Sequence, residues 1–128
     1  MGIVPVLVPP DSGALEVLIA SPSYPQDLGG VLWRYRPDKS ADGRAGSFTP
    51  RVPKFSIGSL VTCKGFYFRL EGYVVHHNDS PPTPYQVVVT IAADGRPVHS
   101  EVPEQGGTGV VGDQSVAFLY VFQIQPAT

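Results

Sequence analysis

The chain predicts an all-β fold, an immunoglobulin/fibronectin III-like β-sandwich of about seven to nine short antiparallel strands. Three observations carry this expectation. Fourteen glycines and fourteen prolines are spread over 128 residues. They punctuate short runs rich in Val, Ile, Leu, Phe and Tyr. Several of those runs alternate with a period of two, as a strand does when one face meets the core and the other meets water. No stretch shows the period of a helix.

Taken in order, residues 3–8 are apolar but contain Pro5, which suits an edge strand or an irregular N-terminal arm within residues 1–14. Residues 15–20, 31–36, 47–49 and 59–63 are further strand candidates. Phe66, Phe68 and Leu70 share one face, opposite Tyr67, Arg69 and Glu71. Gly72 interrupts this pattern, an expected bulge, before Tyr73, Val74 and Val75 continue it. Tyr85, Val87, Val89 and Ile91 share a face in the next run. Asp94-Gly95 then favours a tight hairpin, because both residues tolerate positive φ. Val98 opens the return strand. Residues 116–124 are apolar on both faces, as in a central strand covered on both sides. Residues 37–46 and 76–84 read as exposed loops.

Size and composition narrow the function classes. At this length residues 1–128 make a single domain, able to bury about two-thirds of the surface its unfolded chain exposes. Cys63 is the only cysteine, so no internal disulfide forms. A net charge of −2, spread along the chain, offers no basic stripe for nucleic acid. No apolar run approaches a membrane span, and the first ten residues lack a signal peptide's basic start. The expected location is cytoplasmic, or outside the cell by a non-classical route.

The motifs favour binding over catalysis. Residues 107–112 spell G-x-G-x-x-G, but a β run follows where the dinucleotide fingerprint needs a helix. A glycine loop leading into the next strand is the simpler reading. His76, His77, Asn78 and Asp79 gather donors and acceptors in one loop. Adjacent histidines on an extended chain point apart, which disfavours a shared metal. Trp33 and Tyr35 alternate in one strand beside Arg34 and Arg36. Trp33 is most simply a core residue; the alternative is an exposed aromatic platform, with Arg36 and Asp38 close by to hold hydroxyls. Cys63 reads as a small buried hydrophobe. No nucleophile elbow and no acid–base carboxylate pair is present.

The order of short segments resembles the fungal immunomodulatory proteins. Leu15-Glu16-Val17-Leu18-Ile19-Ala20-Ser21, then Leu32-Trp33-Arg34-Tyr35-Arg36-Pro37, is similar to the family's opening. Val52-Pro53-Lys54-Phe55, Gly65-Phe66-Tyr67-Phe68-Arg69-Leu70, Tyr85 with Asp94-Gly95, and residues 107–116 are similar to later family segments. The resemblance implies an immunoglobulin- or fibronectin-type sandwich, usually a homodimer without catalytic activity. It also implies immune modulation and, for some members, binding of cell-surface glycans. The family's dimer-forming N-terminal helix, its tryptophan after Thr-Pro and its last strand have no counterpart here. The N-terminal arm is then expected to fill the vacant edge.

These observations lead to a non-enzymatic, lectin-like binding protein that self-associates, as a homodimer by expectation, and needs no metal or cofactor. Its expected partner is a glycan or cell-surface glycoprotein. The expected ligand groups are Trp33, Tyr35, Arg36, Asp38, His76, His77, Asn78, Asp79 and Tyr85, stacking and hydrogen bonding at a shallow site. The alternative is a structural or self-assembling protein of stress or inclusion-body type, with no small-molecule site.

Overall fold

The computed structural model describes residues 2–20, 27–49, 53–75, 82–112 and 115–127. It is a β-sandwich. Eleven strands and one helical turn are present among the described residues. A five-stranded sheet contains β1 (Val4–Val8), β11 (Val116–Pro126), β6 (Tyr67–Val75), β3 (Asp27–Tyr35) and β4 (Ala41–Phe48), in that spatial order. A four-stranded sheet contains β5 (Lys54–Ser59), β2 (Ala14–Ala20), β8 (Val88–Ala93) and β9 (Arg96–Glu101). β4 lies beside β5, and β1 beside β9, so the two sheets close over each other along both margins. A two-stranded ribbon pairs β7 (Thr83–Gln86) with β10 (Thr108–Val111).

The alternation read in the sequence becomes the inner face. Phe68, Leu70 and Val74 of β6 are buried, as are Leu15, Val17 and Ile19 of β2. Tyr85, Val87, Val89 and Ile91 are all buried, although the run divides between two sheets. At the crossing, Val87 N donates to Gly107 O at 2.7 Å. Phe68 and Phe122 stack at the centre, their ring centroids 5.2 Å apart. Among the described residues the fully buried set is apolar. The deepest hydroxyls still find partners, as burial requires.

Several expectations change. Gly72 is not a bulge, for β6 runs in unbroken register with both neighbours. One row across the sheet reads Phe48, Gly30, Gly72, Phe118. A Cβ on Gly72 would meet the Phe118 ring at 2.3 Å. The two glycines therefore leave a hollow on the inner face for the Phe48 and Phe118 rings, whose centroids are 6.2 Å apart. Residues 60–63, read as strand, form the helical turn α1 (Leu60–Cys63). Gly58, at φ 112°, turns the chain, and Ser59 and Thr62 close a reciprocal capping box. Residues 41–46, read as loop, belong to β4; two register shifts and an exposed surface hid the strand pattern.

β11 also departs from expectation. It lies next to the edge strand, and only its inner face is covered by the other sheet. Ala117 is exposed, and Leu119 and Val121 are half-buried. The apolar outer face of this strand is surface.

β1 is an edge strand, and its pairing with β11 is parallel, unlike the antiparallel arrangement expected throughout. Val8 O accepts from Ala127 N at 2.8 Å. That parity directs the amides of Val4, Val6 and Val8 at β11 and leaves Pro5, with no N–H to offer, on the open side. The Asp94-Gly95 turn forms as predicted, with φ of 50° and 82°. The Asp94 carboxylate also accepts from Gly13 N at 3.0 Å and Ala14 N at 2.9 Å, tying the hairpin to the start of β2.

Candidate functional site

The two outer faces differ sharply. On the four-stranded sheet the outward positions include Glu16, Lys54, Ser56, Thr90 and Ser100, an ordinary solvated surface in which Thr90 and Ser100 hydroxyls meet at 2.9 Å. On the five-stranded sheet, register places Trp33, Tyr35, Tyr67 and Tyr73 outward. Trp33 is half-buried and Tyr73 is 47% exposed. Trp33 is thus a surface platform and not the core residue that a sandwich commonly holds. Its inward neighbour Leu32 takes the buried place.

A groove of about 540 Å³ runs over this face. Tyr73 and Trp33 stand at its ends, while Val31 and Leu119 form a low floor between them and Ala117 lies beside Tyr73. Gln105, whose backbone bridges to Leu119, borders one side. Tyr73 leans across its neighbour strand, so that a Cβ on Gly29 would lie 2.5 Å from its hydroxyl. Glu71 sits in the middle and pairs with Arg69, which lies level with Trp33, Nε to Oε1 at 2.9 Å, each nearly half exposed. A pair so exposed adds only about 0–1 kcal/mol to stability. Chemically it presents a fixed carboxylate and guanidinium beside an apolar floor.

The other expected ligand residues separate. Tyr35 lies two residues beyond Trp33 on the same face, opposite Tyr67. Arg36 and Asp38 hold the β3–β4 turn. Arg36 donates to Ala41 O at 2.7 Å and pairs with Asp42 at 3.0 Å. Asp38 accepts from the Ser40 hydroxyl at 2.6 Å and from Ser40 N at 2.9 Å. Those hydrogen bonds hold its carboxyl below the usual range. Tyr85 is corrected outright: it is only 4% exposed, and its hydroxyl donates to Gly106 O at 2.7 Å. Its place on the inward side of the 85–91 run removes it from any external ligand. His76, His77, Asn78 and Asp79 lie outside the described residues.

Tyr73, Arg69, Glu71 and Leu119 were not among the expected site residues. Their outward parity was readable in the strand pattern. Their position beside Trp33 was not, because it depends on pairing between distant strands.

Two other clusters are structural. Arg34 stacks over Phe66, its Cζ 4.1 Å from the ring centroid, and donates to Thr62 O at 3.0 Å. Its Nε lies 3.1 Å from Asp42 Oδ2 but off the N–H axis, an ion-pair contact without a hydrogen bond. Tyr120 donates to Glu101 Oε2 at 2.7 Å, and His99 Nε2 lies 3.0 Å from both. The Tyr120 bond holds the Glu101 carboxyl below its usual range, with His99 adding to the effect against partial burial. Burial, with Glu101 beside it, pushes the Tyr120 phenol well above its usual range. Among the described residues no group of three or more His, Cys, Asp or Glu side chains converges to hold a metal ion. Residues 107–112 contain β10, the strand partner of β7, and the next element among the described residues is the strand β11, not a helix whose N-terminus would receive a pyrophosphate.

No protein-family model, curated protein or solved structure matches this chain.

Proposed function

We propose that this protein is a non-enzymatic, lectin-like carbohydrate-binding module, and that its site is the groove between Trp33 and Tyr73. The observation that carries the reading is one open trough combining two outward-facing aromatic rings, an apolar floor and an Arg69–Glu71 pair. Aromatic faces carry a partial negative charge and attract the C–H faces of pyranose rings. Arg69 supplies donors and Glu71 acceptors for hydroxyls. The volume falls within the range of small-molecule sites, about 300–1,000 Å³. Glu71 is the sole carboxylate among the described lining residues. Hydrolysis of a glycoside ordinarily uses two, placed on either side of the bond.

Recognition of glycans on a cell surface, with immunomodulatory consequences, is the cellular form of this proposal. Self-association belongs to it as well, since two shallow sites on one body gain avidity. Strand addition is a poor route to a dimer here. Pro5 lies on the β1 edge, Pro97 and a register shift interrupt β9, and shifts also break β4 and β5.

A glycan and polysaccharide array tests the reading with wild type and Trp33→Ala. Wild type is expected to bind, and the variant to lose binding while its circular dichroism and melting temperature stay close to wild type. Retained binding by a folded Trp33→Ala would remove the groove from the proposal.

A further inference from the structure

The shape and charge of the groove narrow its ligand, an inference that rests on the carbohydrate reading above. We infer that the site takes a linear, uncharged oligosaccharide chain laid along β3, with successive sugars spanning from Tyr73 to Trp33, in preference to a single terminal sugar.

The spacing of the platforms is the first reason. The Tyr73 ring reaches over Gly29, whose Cβ position is 2.7 Å from Tyr73 Cζ. Trp33 stands four residues further along the same strand. At roughly 3.3 Å per residue the two platforms are about 13 Å apart. One pyranose ring cannot cover both; consecutive sugars of an extended chain can.

The floor is the second reason. Between the platforms the outward row is Val31, Glu71 and Leu119, and the row under Tyr73 is closed by Gly29 and Ala117. No aromatic ring stands among them, so the trough continues from one platform to the other. Beyond Trp33 the next outward row holds Tyr35 and Tyr67, outside the groove lining and with Lys39 Nζ 5.7 Å from the Tyr67 ring centroid, so no wall of the groove closes it on that side. A pocket built for a chain end would be walled on that side.

Charge is the third. Arg69 and Glu71 are the only residues of the described lining that carry a full charge at neutral pH, and they neutralise each other at 2.9 Å. A sulfated, phosphorylated or uronic acid chain would gain one cation and meet one anion. A neutral chain uses both as hydrogen-bonding groups and leaves the pair intact.

The experiment is calorimetric titration of the full chain with cello-, manno- and xylo-oligosaccharides, each as a ladder from monosaccharide to hexasaccharide, with a proline-rich peptide alongside. In at least one ladder, affinity is expected to climb about tenfold or more between disaccharide and hexasaccharide, then level off. Tyr73→Ala should return the hexasaccharide to the disaccharide level. Gly29→Ala, which pushes the Tyr73 ring off its seat, should do the same. Equal affinity along a binding ladder, or a Tyr73→Ala variant that keeps the length dependence, overturns this inference and leaves the carbohydrate reading standing. No binding to any ladder member at millimolar concentration overturns both, and binding of the peptide alone would reassign the groove to an extended peptide.

Discussion

Two glycines of the five-stranded sheet allow a controlled test of how the sandwich is packed. Gly72→Ala and Gly29→Ala each add one methyl group, and each methyl meets an aromatic ring. On Gly72 it lies 2.3 Å from Phe118 Cζ and within 2.9 Å of two further ring carbons. On Gly29 it lies 2.5 Å from the Tyr73 hydroxyl and 2.7 Å from Cζ. The rings differ in their freedom. Phe118 is 2% exposed and boxed in by the opposite sheet, whereas Tyr73 is 47% exposed and can swing into solvent. Overpacking a tight core costs about 1–3 kcal/mol. Replacing glycine by alanine returns about 0.4–1 kcal/mol by restricting the unfolded chain. Gly72→Ala should therefore lose on the order of 1–2 kcal/mol net. Gly29→Ala should fall within about 0.5 kcal/mol of wild type, because the exposed Tyr73 ring that covers this position can move aside. In urea, with a slope of about 1–3 kcal/mol/M, the first variant's midpoint drops by roughly 1 M and the second's hardly moves. Both slopes should match wild type. Equal losses in the two variants, or a Gly72→Ala protein as stable as wild type, would refute the hollow described for Phe118.

Two further outcomes follow from the polar and thiol groups. Glu101 has its carboxyl lowered in the folded state, mainly by the Tyr120 hydrogen bond. A lowered folded-state pKa adds stability above the unfolded value, and that stability is lost as pH falls through the folded value. Tyr120→Phe should thus flatten the fall in urea midpoint on acidification below the usual carboxylate range; a curve parallel to wild type would refute this role. Cys63 is fully buried, its Sγ donates to Ile57 O at 3.0 Å, and burial raises its thiol pKa. Labelling by a thiol reagent at mildly alkaline pH should proceed only as the chain unfolds and become fast in denaturant; rapid labelling of native protein would contradict the buried placement.

Much of the fold was legible before any coordinates. Period-two alternation in β6 and in the 85–91 run identified which side chains turn inward, because burial of alternate residues is a local property of a strand. The Asp94-Gly95 turn was legible for the same reason, since its backbone angles depend on those two residues. The site was much less legible. Trp33 and Leu32 are both apolar, and deciding which one faces the core requires knowing what packs on β3. The doubly apolar pattern of β11 suggested cover on both faces, yet the same pattern serves a strand whose outer side floors a groove. The role of Gly72 depended on Phe118, 46 residues away in sequence. Register joins these distant positions, and nothing within one strand announces its partner. Arg36 and Asp38 show the converse case: their chemistry was visible in the sequence, and the adjacent turn engages it in Ala41, Ser40 and Asp42 contacts.

The parallel pairing of β1 with β11 has a mechanical corollary. Tension entering ahead of Val4 and leaving after Pro126 would draw the two strands in opposite senses along their length. The hydrogen bonds between them would then share the load side by side, and rupture would require several to break together.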